Sequence, residues 1–521
     1  MIKGIIMTAV IALAMVFPAK HALHMFQQNR YELGRLNKWV KASWRTNAEG
    51  AVVPLALTVI GLLAGLLFKG LLQTLIEIAI LVFMALYLYA DEKKKNYIKP
   101  LVYTARVKRQ IAVLAVLALI LIILVMKLPP LYATAAYLGP WLLIWPMALI
   151  TSPMEAAIRQ KYLNEAKAIL KDHKDLIKIG ITGSFGKTTT KNIMQAMLSE
   201  QYNSLMTPAS YNTPMGITRT IREMLKPIHK VFVCEMGADH VGDITELMEF
   251  VKPQIGVVTS VGPQHLNTFG SQENITKEKM QVIEMLPADG FGIMNYDNDF
   301  IRNYPVKNTV EKVTYGVHSR DTDYYADEIT YTSSGSVFTV VHGDERVQLE
   351  TKLLGELNIL NILSAVACAR YLGVEWNVIA RAVKTMKQVE HRLELKVING
   401  HRFIDDAFNA NPTGSAMALD VLGMMPGTRW IVTPGMIDLG ARQEEINKEF
   451  GRNMKGKADE VILVGRNQTK PIYAGLQEAG FDMDHVYVVD TVKEAFAIVY
   501  SQADADDTIL LENDLPDAFN H

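Results

Sequence analysis

Cysteine is almost absent from the chain: its 521 residues include only Cys234 and Cys368, each inside an apolar segment. Two cysteines exclude a disulfide framework and favour a reducing compartment for the part of the chain that holds them. Both are therefore predicted to be small buried hydrophobic residues rather than nucleophiles. Net charge is also nearly absent, at −1. Overall charge thus indicates neither a nucleic acid nor an acidic partner, and we predict no nucleic-acid partner.

What the chain has in excess is apolar sequence, and the excess is concentrated near the N-terminus. Half of all residues are hydrophobic, and the long apolar runs lie almost entirely in residues 1–155. The remainder is typical of an ordinary globular protein, and the total length suits about three domains. A helix needs roughly 17–25 apolar residues to cross a bilayer. We therefore predict a transmembrane region of about five helices, at residues 4–18, 51–68, 71–90, 111–126 and 131–150.

Two features of this apolar region have alternative interpretations. The first run is short and follows a single lysine, Lys3, so a signal peptide is an alternative. Because further spans follow, we favour an uncleaved helix. Glu77 lies inside the third span. It is either a functional ionisable group in the membrane or a glutamate that is protonated or paired within its helix.

Positive charges between the apolar runs predict the orientation in the membrane. Residues 19–50 contain six Lys/Arg and residues 91–110 contain seven, whereas the turns at Lys69 and Lys127 contain one each. By the positive-inside rule, both basic loops and everything after residue 152 face the cytoplasm, and the N-terminus lies outside. The predicted location is therefore the plasma membrane, with several spans, the bilayer as a partner and the catalytic domains in the cytoplasm.

A glycine-rich turn follows the first strand-like pattern after the apolar region. The sequence Gly180-Ile-Thr-Gly-Ser-Phe-Gly-Lys-Thr-Thr-Thr-Lys191 lies between the strand-like run 176–179 and a helix-like run. Backbone N–H groups of such a turn close around a phosphate at the positive end of the helix. Lys187 would then reach the β- and γ-phosphates, and Thr188 would hold Mg²⁺. The strict phosphate-loop pattern is missed because its first glycine falls on Ile181, so this is a tighter variant; an ordinary glycine turn is the alternative.

Further polar residues stand at the ends of predicted strands. From Asp172 onward, β-branched runs alternate with helical patterns, which is typical of an α/β sheet with phosphate chemistry at its strand ends. Val231–Glu235 is a buried strand that ends in a carboxylate, and beside a phosphate loop it predicts a Mg²⁺ ligand rather than a helix cap. A third strand leads into a Gly-Pro loop that presents His265. Lys277 and Lys279 begin an amphipathic helix, and their spacing alone indicates a surface charge cluster.

Six motifs in this order resemble those of the Mur ligase superfamily. They are GITGSFGKTTTK, EMGADHVGDI (235–244), SVGPQHLNTFGS (260–271), LLGELNILNILSA (353–365), HRLE (391–394) and DDAFNANP (405–412). Within the superfamily the D-alanyl-D-alanine-adding branch is the most similar, strongly over 172–450 and weakly over 451–521. After the N-terminal α-helical transmembrane bundle that the apolar runs predict, the resemblance implies an α/β P-loop-type ATP-binding domain (172–392, with a small β insertion at 323–353) and a C-terminal Rossmann-like α/β domain (393–521).

The resemblance implies an ATP-dependent acid–amino-acid ligase, and the apolar runs predict that it is membrane-anchored. ATP would phosphorylate a carboxylate, and an amine would attack the acyl phosphate to form an amide. The implied substrates are an envelope-precursor carboxylate and an amino acid or dipeptide amine, in peptidoglycan-related synthesis. Three alternatives stay open: a D-alanyl-D-alanine-adding ligase proper, a poly-γ-glutamate-like polymer synthase, and an ATP-binding membrane scaffold without ligase activity. The oligomeric state is not predicted.

The resemblance also implies roles for individual residues. The catalytic residues would be Lys187, His265 and Lys279. The ATP contacts would be Gly183, Ser184, Phe185, Gly186, Lys187, Thr188, Thr189, Asn361, Arg392 and Asp406. Two Mg²⁺ ions would be held by Thr188, Glu235, His265 and Lys279, the last as a carbamate, which converts a cation into a carboxylate-like ligand. Substrate contacts would come from Asn212, Asn409 and Asn411.

Three departures from the family bear on the substrate. Membrane helices stand where the family has a soluble domain for the uridine-diphosphate sugar. Phe185 occupies a phosphate-loop position that is usually small or polar. Residues 510–519 read LLENDLPDAF where the family has a basic, glycine-containing stretch. Together these departures favour a lipid-linked or polymeric carboxylate at the membrane surface over a nucleotide-sugar tripeptide.

Overall fold

A computed structural model describes residues 2–94, 100–128, 131–407, 410–437 and 439–513. The described residues fall into two compact units, with the division between Gln160 and Lys161. Each unit has its own hydrophobic core. They are described separately below.

The first unit is built from helices. They are α1 (Ile2–Gln28), α2 (Leu33–Ala42), α3 (Trp44–Leu67), α4 (Leu71–Lys94), α5 (Ala105–Val125) and α6 (Tyr132–Asp172), the last of which continues into the second unit. The five predicted apolar segments lie in α1, α3, α4, α5 and α6. Among the described residues, four helices are long and apolar enough to cross a membrane: Lys3–Gln28, Leu71–Lys93, Ala105–Val125 and Tyr132–Asp172. The apolar part of α3, Ala51–Leu67, is shorter.

The buried faces of α1 and α4 form the centre of this first core. Met7 and Ile11 of α1 pack in one cluster with Leu81 and Met84 of α4. Glu77 is also buried on α4, and its Oε1 accepts a hydrogen bond of 2.9 Å from Gln73 Nε2. Because Gln73 lies one turn earlier, the glutamate is paired within its own helix, as one of the two sequence interpretations expected.

The second unit begins with a mixed sheet that is nine-stranded within the part of the chain that the structure describes. Its strands are β1 (Ile177–Thr182), β2 (Ser204–Met206), β3 (Val231–Glu235), β4 (Ile255–Val258), β5 (Phe291–Asn295), β6 (Glu311–Gly316), β7 (Tyr324–Thr332), β8 (Gly335–His342) and β9 (Glu345–Thr351). The order is β2-β3-β1-β4-β5-β6-β7-β8-β9. Pairing is parallel from β2 to β7 and antiparallel in the β7–β8–β9 meander, which occupies the predicted insertion.

Both faces of the parallel part are covered by helices, which explains its continuous apolar strands. Val231 and Val233 of β3 face one core, and Phe232 and Cys234 face the other. The helices are α7 (Lys187–Ser199), α8 (Pro214–Met224), α9 (Asp243–Val251), α10 (Leu266–Phe269), α11 (Gln272–Glu284), α12 (Asp299–Arg302), α13 (Glu356–Tyr371) and α14 (Trp376–Thr385). Cys234 and Cys368 are buried free thiols, as predicted, and burial raises the pKa of both.

A second sheet follows, six-stranded over the described ranges. Its strands are β10 (Glu394–Ile398), β11 (His401–Asp406), β12 (Arg429–Thr433), β13 (Glu460–Val464), β14 (Val486–Val489) and β15 (Thr508–Glu512), in the order β10-β11-β15-β12-β13-β14. Only the β10–β11 pair is antiparallel among the pairings of these strands. The helices are α15 (Pro412–Gly423), α16 (Gln443–Asn453), α17 (Lys470–Glu478) and α18 (Val492–Gln502). This alternation is the predicted C-terminal α/β pattern.

Candidate functional site

The turn between β1 and α7 depends on two glycines. Gly183 has φ +154°, and a Cβ at this position would lie 2.1 Å from Thr259 Oγ1. Gly186 has φ +82°, and its Cβ would lie 2.6 Å from Asn361 Oδ1. Both positions therefore require glycine for conformation and for space. The turn leads into the N-terminus of α7, whose first N–H groups stabilise an anion.

The segment that follows β4 braces this turn. Ser260 accepts a hydrogen bond of 2.8 Å from the Ser184 N–H through its carbonyl and another of 2.8 Å from the Phe185 N–H through its hydroxyl. Thr259 Oγ1 donates to the Phe185 carbonyl at 2.5 Å. The turn is therefore fixed before any ligand arrives. Only the backbone of Phe185 takes part in these hydrogen bonds, so they do not restrict which side chain can stand at this position.

Lys187 is the first residue of α7, and its side chain folds back over the turn. Its Nζ donates to the carbonyls of Gly183 at 2.6 Å and Ser184 at 3.1 Å. Burial lowers the pKa of Lys187 to about 8, against the opposing charge of Glu235. An ammonium group and helix N-terminal amides thus converge on one concave turn, which is the arrangement that binds phosphate.

Glu235 ends β3 beside this turn, as predicted, and is 1% exposed. Its Oε1 accepts hydrogen bonds from Thr188 Oγ1 at 3.2 Å and from Asn212 Nδ2 at 2.9 Å. Its Oε2 lies 3.0 Å from Lys191 Nζ. Burial acts to raise the pKa of Glu235, but the charges of Lys191 and Lys187 outweigh it and hold the pKa below its ordinary value. The carboxylate is therefore ionised beside the Thr188 hydroxyl, and these two oxygen donors fit a Mg²⁺ ion.

Lys279 and His265 reach neighbouring residues in the loop after β3. Lys279 is 2% exposed, and its Nζ donates to the Ala238 carbonyl at 3.3 Å. His265 Nε2 lies 3.3 Å from Asp239 Oδ1. Burial, followed by the charge of Lys187, lowers the pKa of Lys279 to about 7. The structure therefore brings together a histidine and a buried lysine near the phosphate turn.

The prediction of a surface charge cluster on α11 is wrong for Lys279 and correct for Lys277. Lys277 is exposed and pairs with Glu273 at 2.9 Å. Residues two apart on a helix point in nearly opposite directions, so one of the two lysines must face inward. Glu278, between them, accepts the backbone N–H groups of Gly242 and Ile244 and so caps α9.

Arg392 and Asp406 line a cavity with the phosphate turn. The cavity walls include Phe185, Gly186, Thr189, Asn358, Arg392, Asp406, Asn411, Ser415 and Glu512. Burial lowers the pKa of Arg392, while Asp406 opposes the shift. Burial raises the pKa of Asp406 to about 6, and its Oδ1 accepts the Leu393 N–H at 3.2 Å. The position of these residues suits a nucleotide contact.

Besides Asn212, three asparagines were predicted to contact nucleotide or substrate, and their surroundings differ. Asn361 is buried on α13, and its Oδ1 accepts from Thr190 Oγ1 at 3.1 Å, behind the turn. Asn411 caps α15, because its Oδ1 accepts from the Gly414 N–H at 2.9 Å. Asn409 lies outside the described residues. Their roles as nucleotide or substrate contacts stay predictions.

The structure places three further charged side chains at this site, for which the sequence predicted no role: Lys191, Asp239 and Glu512. Lys191 is one helical turn after Lys187, so the i, i+4 spacing could have indicated a second inward lysine. Asp239 belongs to the same motif as Glu235. Glu512 ends the apolar strand TILLE, which repeats the pattern of VFVCE at Glu235. The sequence therefore contains the pattern of an apolar strand ending in a carboxylate twice, at Glu235 and at Glu512.

Comparisons with known proteins agree with these motifs. A family model described as the Mur ligase middle domain matches residues 181–369, and one described as the Mur ligase, glutamate ligase domain matches residues 391–512. The UDP-N-acetylmuramoyl-tripeptide–D-alanyl-D-alanine ligase of Escherichia coli (strain K12) is 32% identical over 291 residues, or 55% of this chain and 64% of that protein. The enzyme of the same name from Bacillus subtilis (strain 168) is 30% identical over 67% of this chain and 75% of that protein. The chain thus spans less than two thirds of the first of these relatives.

Solved structures show the same fold for most of the chain. MurF from Acinetobacter baumannii has a TM-score of 0.63 at 24% identity and covers 70% of this chain and 78% of its own. MurF from Thermotoga maritima, solved in complex with ADP, has a TM-score of 0.61 at 22% identity, with coverage of 68% and 80%.

Proposed function

Since the chain belongs to the Mur ligase family, we propose that it is a membrane-anchored, ATP-dependent ligase that forms an amide bond on a cell-envelope precursor. The observation that carries the proposal is that Lys187 and the Thr188–Glu235 pair lie near the loop after β3, where His265 contacts Asp239 and Lys279 contacts Ala238. Nucleotide binding alone needs the first two; the additional buried lysine and histidine are expected of a site that also activates a carboxylate.

The reaction divides into two displacements. A carboxylate oxygen of the substrate attacks the γ-phosphorus of ATP, and ADP leaves. The amine then attacks the carbonyl carbon of the acyl phosphate; inorganic phosphate leaves, and the amine loses a proton as the C–N bond forms. Lys187 and the amides of Gly186–Thr189 at the start of α7 stabilise the charge of the transferring group, which is the main task in phosphoryl transfer.

The donor set of the site fits two divalent cations. The Thr188 hydroxyl and Glu235 carboxylate would hold one Mg²⁺, and His265 with a carbamate on Lys279 would hold the other. Bound Mg²⁺ neutralises charge on the phosphates. The burial of Lys279 supports the carbamate: the unmodified Nζ donates to the Ala238 carbonyl, and a carbamate at this position would supply oxygen donors to the metal.

The first unit supports the membrane part of the proposal. Large apolar side chains project from its helices into solvent, including Leu66 at 78% and Leu71 at 76% exposed. Apolar patches of this kind indicate contact with lipid or another protein. Together with the four long apolar helices and the basic loops, they favour several spans with the ligase in the cytoplasm.

We propose a lipid-linked or polymeric carboxylate as the substrate, because residues before the matched range 181–369 are apolar helices rather than a sugar-nucleotide domain. Addition of D-alanyl-D-alanine to a UDP-N-acetylmuramoyl-tripeptide is the second candidate. The names of the relatives at 30% and 32% identity favour it.

One experiment distinguishes the two candidate substrates. The full chain in detergent receives Mg-ATP, amino acids or D-alanyl-D-alanine, and either an envelope lipid extract or UDP-N-acetylmuramoyl-tripeptide. Phosphate release and the mass of the amide product are followed. Product from the lipid extract supports the first candidate, and product from the soluble tripeptide alone supports the second. Lys187→Ala should reduce the rate by about 10²–10³, whereas the exposed Lys174→Ala should not; ATP hydrolysis without an amide product would overturn both candidates.

A further inference from the structure

Glu512 is a buried acid at the carboxyl end of β15, in the cavity beside the phosphate turn. It is 1% exposed. Its Oε1 accepts a hydrogen bond of 2.6 Å from Ser415 Oγ on α15. Its Oε2 is buried and has no hydrogen-bond partner among the described residues. An ionised oxygen in this environment costs much more free energy than a protonated one.

A second acid stands directly beside it. The parallel register of β11 and β15 pairs Asp406 with Glu512. Arg392, from the segment before β10, is the cation that faces both acids. Two adjacent carboxylates next to one guanidinium retain one proton between them, because like charges so close do not both ionise readily. Further groups that face this cluster are Asp405 on β11, Ser415 on α15 and, towards Arg392, Glu235 on β3 and Lys187 on α7.

Burial places that proton on Glu512. It raises the pKa of Glu512 well above its ordinary value, and the neighbouring charge of Asp406 raises it further. Asp406 has a smaller rise, to about 6, because Arg392 and the Leu393 N–H stabilise its ionised form. The two acids are therefore not equivalent. Asp406 is the one that carries the negative charge opposite Arg392 near neutral pH.

We propose that Glu512 is a positioning residue of the nucleotide pocket that carries the proton of the Asp406–Glu512 pair, so that the pocket presents one carboxylate and one guanidinium to the nucleotide. The inference rests on the proposed ATP-binding function. Loss of the proton adds a second negative charge beside a cavity that Gly186 and Thr189 of the phosphate turn also line. That charge repels the nucleotide phosphates. Nucleotide binding is then strong at low pH and weakens as the pH rises through the titration of the pair.

The test measures ADP binding to the full-length chain in detergent by calorimetry, between about pH 5.5 and 8.5. In the unmodified chain, affinity should fall about tenfold over this range beyond the change that the ionisation of ADP, Asp406 and Lys187 causes. Glu512→Gln keeps the shape of the protonated acid but cannot ionise, so this fall should disappear. Glu449→Gln, the same change at an exposed position of α16, should retain it. The ionisation of ADP, Asp406 and Lys187 is common to all three proteins and cancels in the comparison.

Ser415→Ala provides an independent variant. Loss of the hydroxyl that donates to Oε1 makes ionised Glu512 less favourable, so the midpoint of the pH dependence should move to higher pH. An unchanged pH profile in Glu512→Gln, or an unmoved midpoint in Ser415→Ala if the first variant does not fold, would overturn the inference. Equally weak binding of Glu512→Gln at every pH would also overturn it. If the unmodified chain binds no ADP at any pH, the proposed function itself fails.

Discussion

Lys279 and Lys277 lie two residues apart on α11, and the first is buried whereas the second is exposed. Variants of Lys279 therefore test the proposed carbamate, and the same change at Lys277 is the matched control. We expect Lys279→Ala to be inactive but partly restored by short-chain carboxylates, which can occupy the vacated ligand position. Lys279→Arg should stay inactive, because guanidinium keeps its positive charge and does not take up CO₂. Ligation rates with and without added formate or acetate measure both effects.

Lys277→Ala is the control for this series. Its partner Glu273 is exposed, and an exposed ion pair contributes little to stability or activity. Its rate should therefore match that of the unmodified chain. Full activity of Lys279→Arg would rule out the carbamate, and a mass increase of one CO₂ on Lys279 in a native spectrum would be direct support.

Lys191 and Glu235 form an ion pair in which both side chains are buried. Lys191→Met should cost about 3–5 kcal/mol of unfolding free energy, because it leaves the carboxylate buried without its cation. Lys191→Met combined with Glu235→Gln should lose less than the two single variants together. Thermal unfolding of the four proteins gives the coupling. Additive losses of unfolding free energy would show that the two groups do not interact energetically. As a control, Lys277→Met should leave the unfolding free energy nearly unchanged.

At the residue scale, the sequence predicted the side chains that stand in motifs and missed those that depend on burial. Glu235 lies where a strand ending in an acid predicted it, and Thr188 contacts it. Spacing alone predicted an exposed position for Lys279. Which face of a helix is buried cannot be predicted before the elements that pack against it are known. Glu512 was missed for a related reason: its neighbour Asp406 is about a hundred residues away in sequence, and only the sheet register of β11 and β15 brings them together.

The phosphate turn is the element whose backbone is most constrained by its neighbours. Gly183→Ala should abolish nucleotide binding, because a Cβ would lie 2.1 Å from Thr259 Oγ1. Gly465 also has positive φ, at +91°, but has open space around its Cβ position. Gly465→Ala should therefore cost only about 1 kcal/mol of backbone strain and leave ADP binding unchanged. Calorimetric titration with ADP separates steric conflict from strain, and equal losses in the two variants would contradict this account.

Elements were predicted best where the apolar period was regular. Strands β12 (Arg429–Thr433) and β13 (Glu460–Val464) belong to the predicted C-terminal α/β pattern, and each is largely a continuous apolar run. Strand β10 (Glu394–Ile398) was not predicted, because it is half-exposed and pairs only as an edge hairpin with β11. Helix α1 extends to Gln28 rather than residue 18, because hydropathy marks only its apolar part and its polar continuation is also helical.

For the molecule as a whole, the sharpest prediction is its orientation in the membrane. Cysteines introduced at the exposed positions Lys69 and Lys127 should react with an impermeant thiol reagent on intact cells, and one at Lys38 should react only after permeabilisation. The native Cys234 and Cys368 are buried, so they add little background. The reverse pattern would place the nucleotide site outside the cell, where ATP is scarce, and would contradict the proposed ligase.

At this scale the order of the parts was predictable and their extent less so. The change from long apolar runs to alternating strand and helix patterns marks the passage from the first unit to the second. The division lies after Gln160 rather than at residue 155, inside the continuous helix α6. Hydropathy did not indicate this helix as one element, because its apolar start and charged end share no single pattern.

The proposed carbamate on Lys279 would make the activity of the chain depend on dissolved CO₂. A carbamate forms only on the neutral amine, and a pKa of about 7 keeps much of Lys279 neutral in slightly alkaline solution but not in acid. Protein purified in degassed, mildly acidic buffer should therefore lose the modification and start its reaction with a lag. Bicarbonate should shorten that lag. The carbon dioxide that metabolism produces would then set, through a single lysine, what fraction of the molecules is ready to work.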